Sequence, residues 1–248
     1  MMTYYNQRDY PNTPYPAKGY GTATIKSAGC GPTCAAMVVE GLSGKSYPPP
    51  IMAELFIAKG ARVPGGTDMA KGAKIIAELT GGDTVTTSSG TQLVDYLEMG
   101  CWAIANVGGN RSGYTGLFSD GGHYVVVRGR EPNGRLIVWD PGYYAGKFDK
   151  AGRKGRVTVR GNDILVDAAE LERDTENRTP NYYLFWPEKE DKPMTPETHT
   201  PTHWAKEAWE LATKAGILDG TFPQGPVTRE QLAVILHRLG LLNKPPDA

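Results

Sequence analysis

Gly29-Cys30-Gly31-Pro32-Thr33, followed at once by the apolar run Cys34-Ala35-Ala36-Met37-Val38-Val39, decides how this chain is read. Proline is tolerated in a first helical turn, where its missing N–H would lack a partner anyway. The stretch therefore predicts a loop turning into a buried helix over about 32–42. A thiol at that junction sits beside unpaired N–H groups and the positive end of the helix dipole, and both lower its pKa. The flanking glycines permit tight backbone geometry and leave room for another molecule beside the sulfur. Cys30 is accordingly a candidate nucleophile; the alternative is a buried structural cysteine that happens to precede a helix.

Working outward, spacing predicts a helix near 51–59 and another over 68–79, where Ala70, Ala73, Ile76 and Ala77 recur at helical intervals. A fourth, over 92–99, carries Leu93, Tyr96 and Leu97 on one face. The pattern then turns β-rich, at 101–107, 124–128, 135–139 and 156–159, and ends in Tyr182-Tyr183-Leu184-Phe185-Trp186. Helices first and neighbouring strands after them imply an α+β domain with N-terminal helices packed on an antiparallel sheet. The glycine-rich segment 108–122 has no phosphate-loop spacing and reads as the rim of a cleft. Cys34 and Cys101 read as core side chains. With no matching Cys or His pair at ligand spacing, no metal and no cofactor are expected.

Lys plus Arg and Asp plus Glu both number 27, which leaves no charge footprint for nucleic acid or an anionic membrane. Three cysteines are too few for a disulfide framework and suit a reducing compartment or a free catalytic thiol. No apolar run is long enough to span a bilayer. Met1-Met2-Thr3-Tyr4-Tyr5-Asn6-Gln7 lacks a basic region followed by an apolar one, so no signal peptide is read and synthesis in a cytoplasm is expected. The stretch 188–201 is charged, Pro-rich and free of large aliphatic residues. It predicts a linker between a domain at 1–187 and a small module at 202–248.

A thiolate nucleophile needs a proton carrier, and histidine suits that work at neutral pH. Of four histidines only His123 lies in the first domain, in Gly121-Gly122-His123-Tyr124-Val125-Val126-Val127, where it opens a buried strand. A histidine that merely caps the sheet is the alternative. Asp140 closes the next strand in Val138-Trp139-Asp140-Pro141, and Glu131-Pro132-Asn133-Gly134 between them is a strong turn signal. A hairpin would bring His123 and Asp140 together, and a loop of even length would put both on one face. Asp140 would then orient the imidazole, although an aspartate before proline also starts ordinary turns. Gln7 is a candidate oxyanion donor alongside the Cys30 N–H; on composition alone it would be a loose N-terminal residue.

In order along the chain stand Gln7, Ile25-Lys26-Ser27-Ala28-Gly29-Cys30-Gly31-Pro32-Thr33-Cys34-Ala35-Ala36-Met37-Val38, Gly122-His123-Tyr124-Val125-Val126-Val127 and Val138-Trp139-Asp140-Pro141. This succession resembles papain-fold cysteine peptidases related to the bacteriocin leader-processing peptidases, over about residues 3–186. The resemblance implies a papain-like fold with Cys30 as nucleophile, His123 as base, Asp140 as orienting residue and Gln7 as oxyanion donor. In the transporter-linked leader peptidases the glutamine lies much closer to the cysteine, whereas here it precedes by twenty-three positions. That looks like the free-standing branch of the family, whose substrates vary, so cleavage after a double glycine is not implied.

In the C-terminal module Trp204, Ala208, Leu211, Ala212 and Ala215 share one helical face that stops at Gly216. Thr228-Arg229-Glu230-Gln231 is a capping box for a second helix that carries Leu232, Ile235, Leu236 and Leu239 inward. The pattern His203-Trp204-Ala205, Gly216-Ile217, Gly220, Phe222-Pro223 and Val227-Thr228-Arg229-Glu230-Gln231 is similar to one S-layer-homology repeat, a family that attaches proteins to bacterial walls. Such repeats usually act in threes. The single copy implies either wall binding by a divergent repeat or association of chains into a homo-oligomer, with a plain stability module as the remaining alternative. Together the two resemblances imply a phage-endolysin-like peptidoglycan hydrolase, made without a leader and acting at the cell wall after release. The rival readings are an intracellular or toxin-associated protease with a protein substrate, and a non-catalytic wall-binding protein.

Overall fold

The computed structural model describes residues 3–186, 206–218 and 229–241, and the chain divides into two compact units between Lys189 and Glu190. The first unit begins with a 3-10 turn, Gln7–Asp9, and four helices: α1 (Ile25–Ala28), α2 (Cys30–Ser43), α3 (Pro49–Ala58) and α4 (Met69–Thr80). A two-stranded hairpin, β1 (Arg62–Val63) with β2 (Gly66–Thr67), lies between α3 and α4. There follow β3 (Asp83–Thr87), α5 (Gly90–Glu98), β4 (Trp102–Val107), β5 (His123–Arg130), β6 (Leu136–Trp139), β7 (Val157–Arg160), β8 (Asp163–Val166), α6 (Ala168–Thr175) and β9 (Tyr182–Trp186).

Seven strands form one sheet in the order β3-β9-β4-β5-β6-β8-β7, each pair antiparallel. This is the expected α+β arrangement of N-terminal helices against an antiparallel sheet. Both faces of its centre are covered, which is why β4 and β5 read as nearly continuous apolar runs rather than alternating ones. On one face Cys34, Met37 and Val38 of α2, Phe56 of α3 and Ile76 of α4 pack with Trp102, Ile104, Val126 and Trp139. On the other, Leu93 of α5, Leu171 of α6 and Phe118 pack with Ala103, Ala105, Val125 and Val127. Each large apolar side chain so buried contributes about 1.5–3 kcal/mol. Cys34 and Cys101 lie in the core as expected.

The second unit shows α7 (Lys206–Lys214) and α8 (Arg229–Arg238). α7 ends just before Gly216, whose φ of 68° is the left-handed conformation glycine adopts at least cost. The inward placement expected of Leu232 and Leu239 does not hold: they are 49% and 47% exposed. Two short helices enclose too little volume to cover a full apolar stripe. The expected linker at 188–201, Trp204, and the capping-box side chains of Thr228-Arg229-Glu230-Gln231 lie outside the described residues.

Candidate active site

Cys30 is the first residue of α2, and Gly29 caps both the end of α1 and the start of α2. Where a loop is expected, a single helical turn abuts the long helix, started by a capping box between Thr24 and Ser27. A Cβ on Gly29 would stand 2.5 Å from the Ile25 carbonyl oxygen, and one on Gly31 would meet the Thr67 hydroxyl at 2.3 Å. The space beside these glycines is thus filled by the protein itself, which corrects the expectation that it is kept open for another molecule.

Cys30 and His123 line the same cleft, and the His123 ring and the backbone of Tyr124 and Gly31 are the groups that act on the sulfur. Burial acts to raise the thiol pKa, but these polar neighbours together with the His123 charge outweigh it and leave it below the ordinary value. For His123 burial acts downward, and the bonds to Asp140 and Cys30 overcome it, pushing the imidazole up to about 9. The two shifts run in the direction that favours thiolate on Cys30 and imidazolium on His123. Burial raises both Cys34 and Cys101, so Cys30 is the thiol that ionises.

His123 opens β5, and Asp140 follows β6, the next strand of the hairpin. The loop between the paired residues Arg130 and Leu136 holds five residues, an odd number. That loop alone would send the two side chains to opposite faces. A bulge between Val127 and Gly129 restores the parity. Beyond it Val126 faces Trp139, so Asp140 falls opposite Val125, two residues from His123 and on its face. The result is a 2.8 Å bond between His123 Nε2 and Asp140 Oδ1, which leaves Nδ1 for the sulfur.

Asp140 is fully buried, yet its carboxylate is well supplied with donors. Besides His123, the Gly142 N–H donates to Oδ1 at 2.8 Å, and the ammonium of Lys147, itself buried, donates to Oδ2. Burial alone would raise this carboxyl; Lys147 and His123 reverse that and hold it down at about 2. Lys147 has no mark in the sequence: in Tyr144-Ala145-Gly146-Lys147-Phe148 it looks like any surface lysine.

Gln7 is brought to the site by a clamp between the N-terminal segment and the 140–143 turn. Tyr4 Oη donates to the Asp140 carbonyl at 2.6 Å, Asn6 Nδ2 to the Tyr143 carbonyl at 2.8 Å, and the Gln7 N–H to the Pro141 carbonyl at 2.7 Å. The Gln7 side chain donates through Nε2 to the Lys26 carbonyl at 2.9 Å. It lines the same cleft as Cys30 and His123, so the residue is anchored rather than loose.

That cleft has a volume of about 290 Å³ and is further lined by the Gly65-Gly66 turn, Phe118 to Asp120, Gly142, Tyr144 and Arg153. Part of the glycine-rich segment thus does form its rim. The segment is pinned by buried Asp174, which accepts from the N–H of Leu117 at 2.7 Å and of Phe118 at 3.1 Å. Chemically, the site holds a thiol whose pKa is lowered, an imidazole beside it whose pKa is raised, and an amide donor on a neighbouring wall. Those are the parts needed to attack a carbonyl carbon and protonate the departing amine.

Residues 2–154 match the Peptidase_C39 like family. No curated protein matches the chain. Among solved structures, a Bacillus anthracis chain described as a C39-like peptidase superposes with a TM-score of 0.47 and 12% identity, over 74% of this chain and 94% of that one.

Proposed function

Because the chain belongs to the Peptidase_C39 like family and is a cysteine peptidase hydrolase, we propose that it cleaves a peptide or muramoyl-peptide amide in bacterial peptidoglycan, as an endolysin does. The observation that carries the chemistry is one cleft lined by Cys30 and His123, with His123 bonded to Asp140 and Asp140 to Lys147 behind it. The wall as destination is supported by the S-layer-homology-like pattern of the C-terminal module. A short helical unit of that kind would hold the enzyme on an insoluble substrate and raise its local concentration.

In this mechanism the Cys30 thiolate attacks the amide carbon and a C–S bond forms. The oxyanion that develops is met by the Gln7 side-chain N–H and the Cys30 backbone N–H. The His123 imidazolium gives its Nδ1 proton to the leaving amine, the C–N bond breaks, and a thioester remains. Neutral His123 then takes a proton from water, whose oxygen displaces the sulfur and releases the acid. Asp140 acts through His123, fixing its ring and stabilising its charge. Gln7→Ala is expected to lower kcat/KM by roughly 100-fold with little change in KM, the loss of one oxyanion donor.

Clearing of suspended Gram-positive cell walls tests the proposal. Wild type should lower the turbidity, and Cys30→Ala should not, while both sediment with the walls. Equal clearing by Cys30→Ala would remove the thiol mechanism. Thiol-dependent cleavage of a soluble protein with no effect on walls would favour the protein-protease reading instead. Mass spectrometry of the released fragments identifies the amide that is cut.

A further inference from the structure

The mechanism leaves unused the charge around the cleft mouth. Among the lining residues Arg8, Lys26, Lys147 and Arg153 are cationic and Asp120 is anionic, apart from the reacting pair. Two of the four cations are neutralised in place: Lys147 by Asp140, and Arg153 by Asp120 at 2.7 Å. Arg8 and Lys26 are exposed and are in no ion pair among the described residues.

Both stand on the wall that carries Gln7. Arg8 is the next residue of the same turn, and the Lys26 carbonyl is the acceptor for the Gln7 amide. Arg8 is also held at the cleft rather than free in water, its guanidinium lying 4.9 Å from the ring centroid of Tyr144. Lys150 approaches the same ring at 5.7 Å. A cleft with two uncompensated cations beside the oxyanion donor attracts negative charge and repels positive charge.

We infer that the cleft selects substrates bearing a carboxylate beside the scissile amide, with Arg8 and Lys26 as the receiving cations. The inference rests on the reading of Cys30 as the nucleophile at this cleft. The carboxylate belongs either to an acidic side chain or to a free chain terminus, and the chemistry of recognition is the same for both.

The test compares alkylation of Cys30 by iodoacetate, an anion, with alkylation by neutral iodoacetamide, using the full chain and locating the label by mass spectrometry. In each reaction the sulfur bonds to the CH₂ carbon and iodide leaves; the probes are of similar size, and the change in their rate ratio between variants isolates the effect of charge. The ratio of their rate constants should fall roughly tenfold in Arg8→Glu/Lys26→Glu, and partway in Arg8→Gln/Lys26→Gln. Raised salt should compress the ratio in wild type. A ratio unchanged in both variants would overturn the inference while leaving the thiol mechanism intact. A Cys30 no more reactive than an ordinary thiol toward either probe would overturn the mechanism and the inference with it. Peptide pairs then separate the two sources. One has a glutamate side chain and an amidated terminus, the other a neutral side chain and a free carboxylate. Preference for either over a peptide lacking both supports the inference; no preference for either contradicts it.

Discussion

A fully buried carboxylate is the most costly group in the site, and its partners determine the sign of its effect. Asp140 has a folded pKa of about 2 against an ordinary 3.8, so it contributes about 2 kcal/mol that is complete above 3.8 and lost as pH falls through 2. Lys147→Met removes the buried cation that makes this possible. It should cost about 3 kcal/mol in urea unfolding and move the acid-unfolding midpoint to higher pH. An unchanged acid midpoint would show that Lys147 does not support the carboxylate. His123 works in the opposite direction. Raised from 6.5 to about 9, it contributes stability that is complete below 6.5 and lost as pH rises through 9. Cleavage should therefore fall above pH 9, because neutral His123 cannot protonate the leaving amine, while alkylation of the still-ionised Cys30 persists. Parallel loss of both above pH 9 would contradict the assignment.

At the scale of elements, the site depends on how closely α2 lies on the sheet. A Cβ at Gly41 would stand 2.3 Å from Cη2 of Trp102, a ring that is buried and set edge-on to Trp139 at 5.7 Å. Glycine to alanine in an exposed helix normally gains about 1 kcal/mol. Here overpacking outweighs that gain, and Gly41→Ala should lower stability by about 2 kcal/mol in thermal or urea unfolding. α2 and strands β4 to β6 are legible in the sequence because long apolar runs and a strong turn signal mark them. β3 is not: Val85 is its one large apolar side chain, and the strand lies at an edge of the sheet. Cys30, His123, Asp140 and Gln7 are nameable from residue type and order. Their convergence is less so, since it depends on a bulge that adds one residue to β5 and on a clamp made by Tyr4 and Asn6. Neither leaves a compositional trace.

For the whole molecule, the question is how two unlike units divide the work. The first holds Cys30 and the bonded line from His123 through Asp140 to Lys147; the second exposes Leu211, Leu232, Leu239 and Leu241. A chain ending at Lys189 should keep the Cys30 alkylation rate and the unfolding midpoint of the first unit and lose sedimentation with walls. Sedimentation retained by that fragment would place wall binding in the first unit. All of the proposed chemistry, in either unit's service, requires that the thiol be ionised by its histidine partner in the folded chain. The direct test is an ultraviolet titration of the Cys30 thiolate, read as the difference between wild type and Cys30→Ala, and repeated with His123→Ala. Thiolate already present at neutral pH in wild type, with the titration moving back toward the ordinary 9.0 or above once His123 is removed, is the predicted result. Identical titrations with and without the imidazole would contradict it.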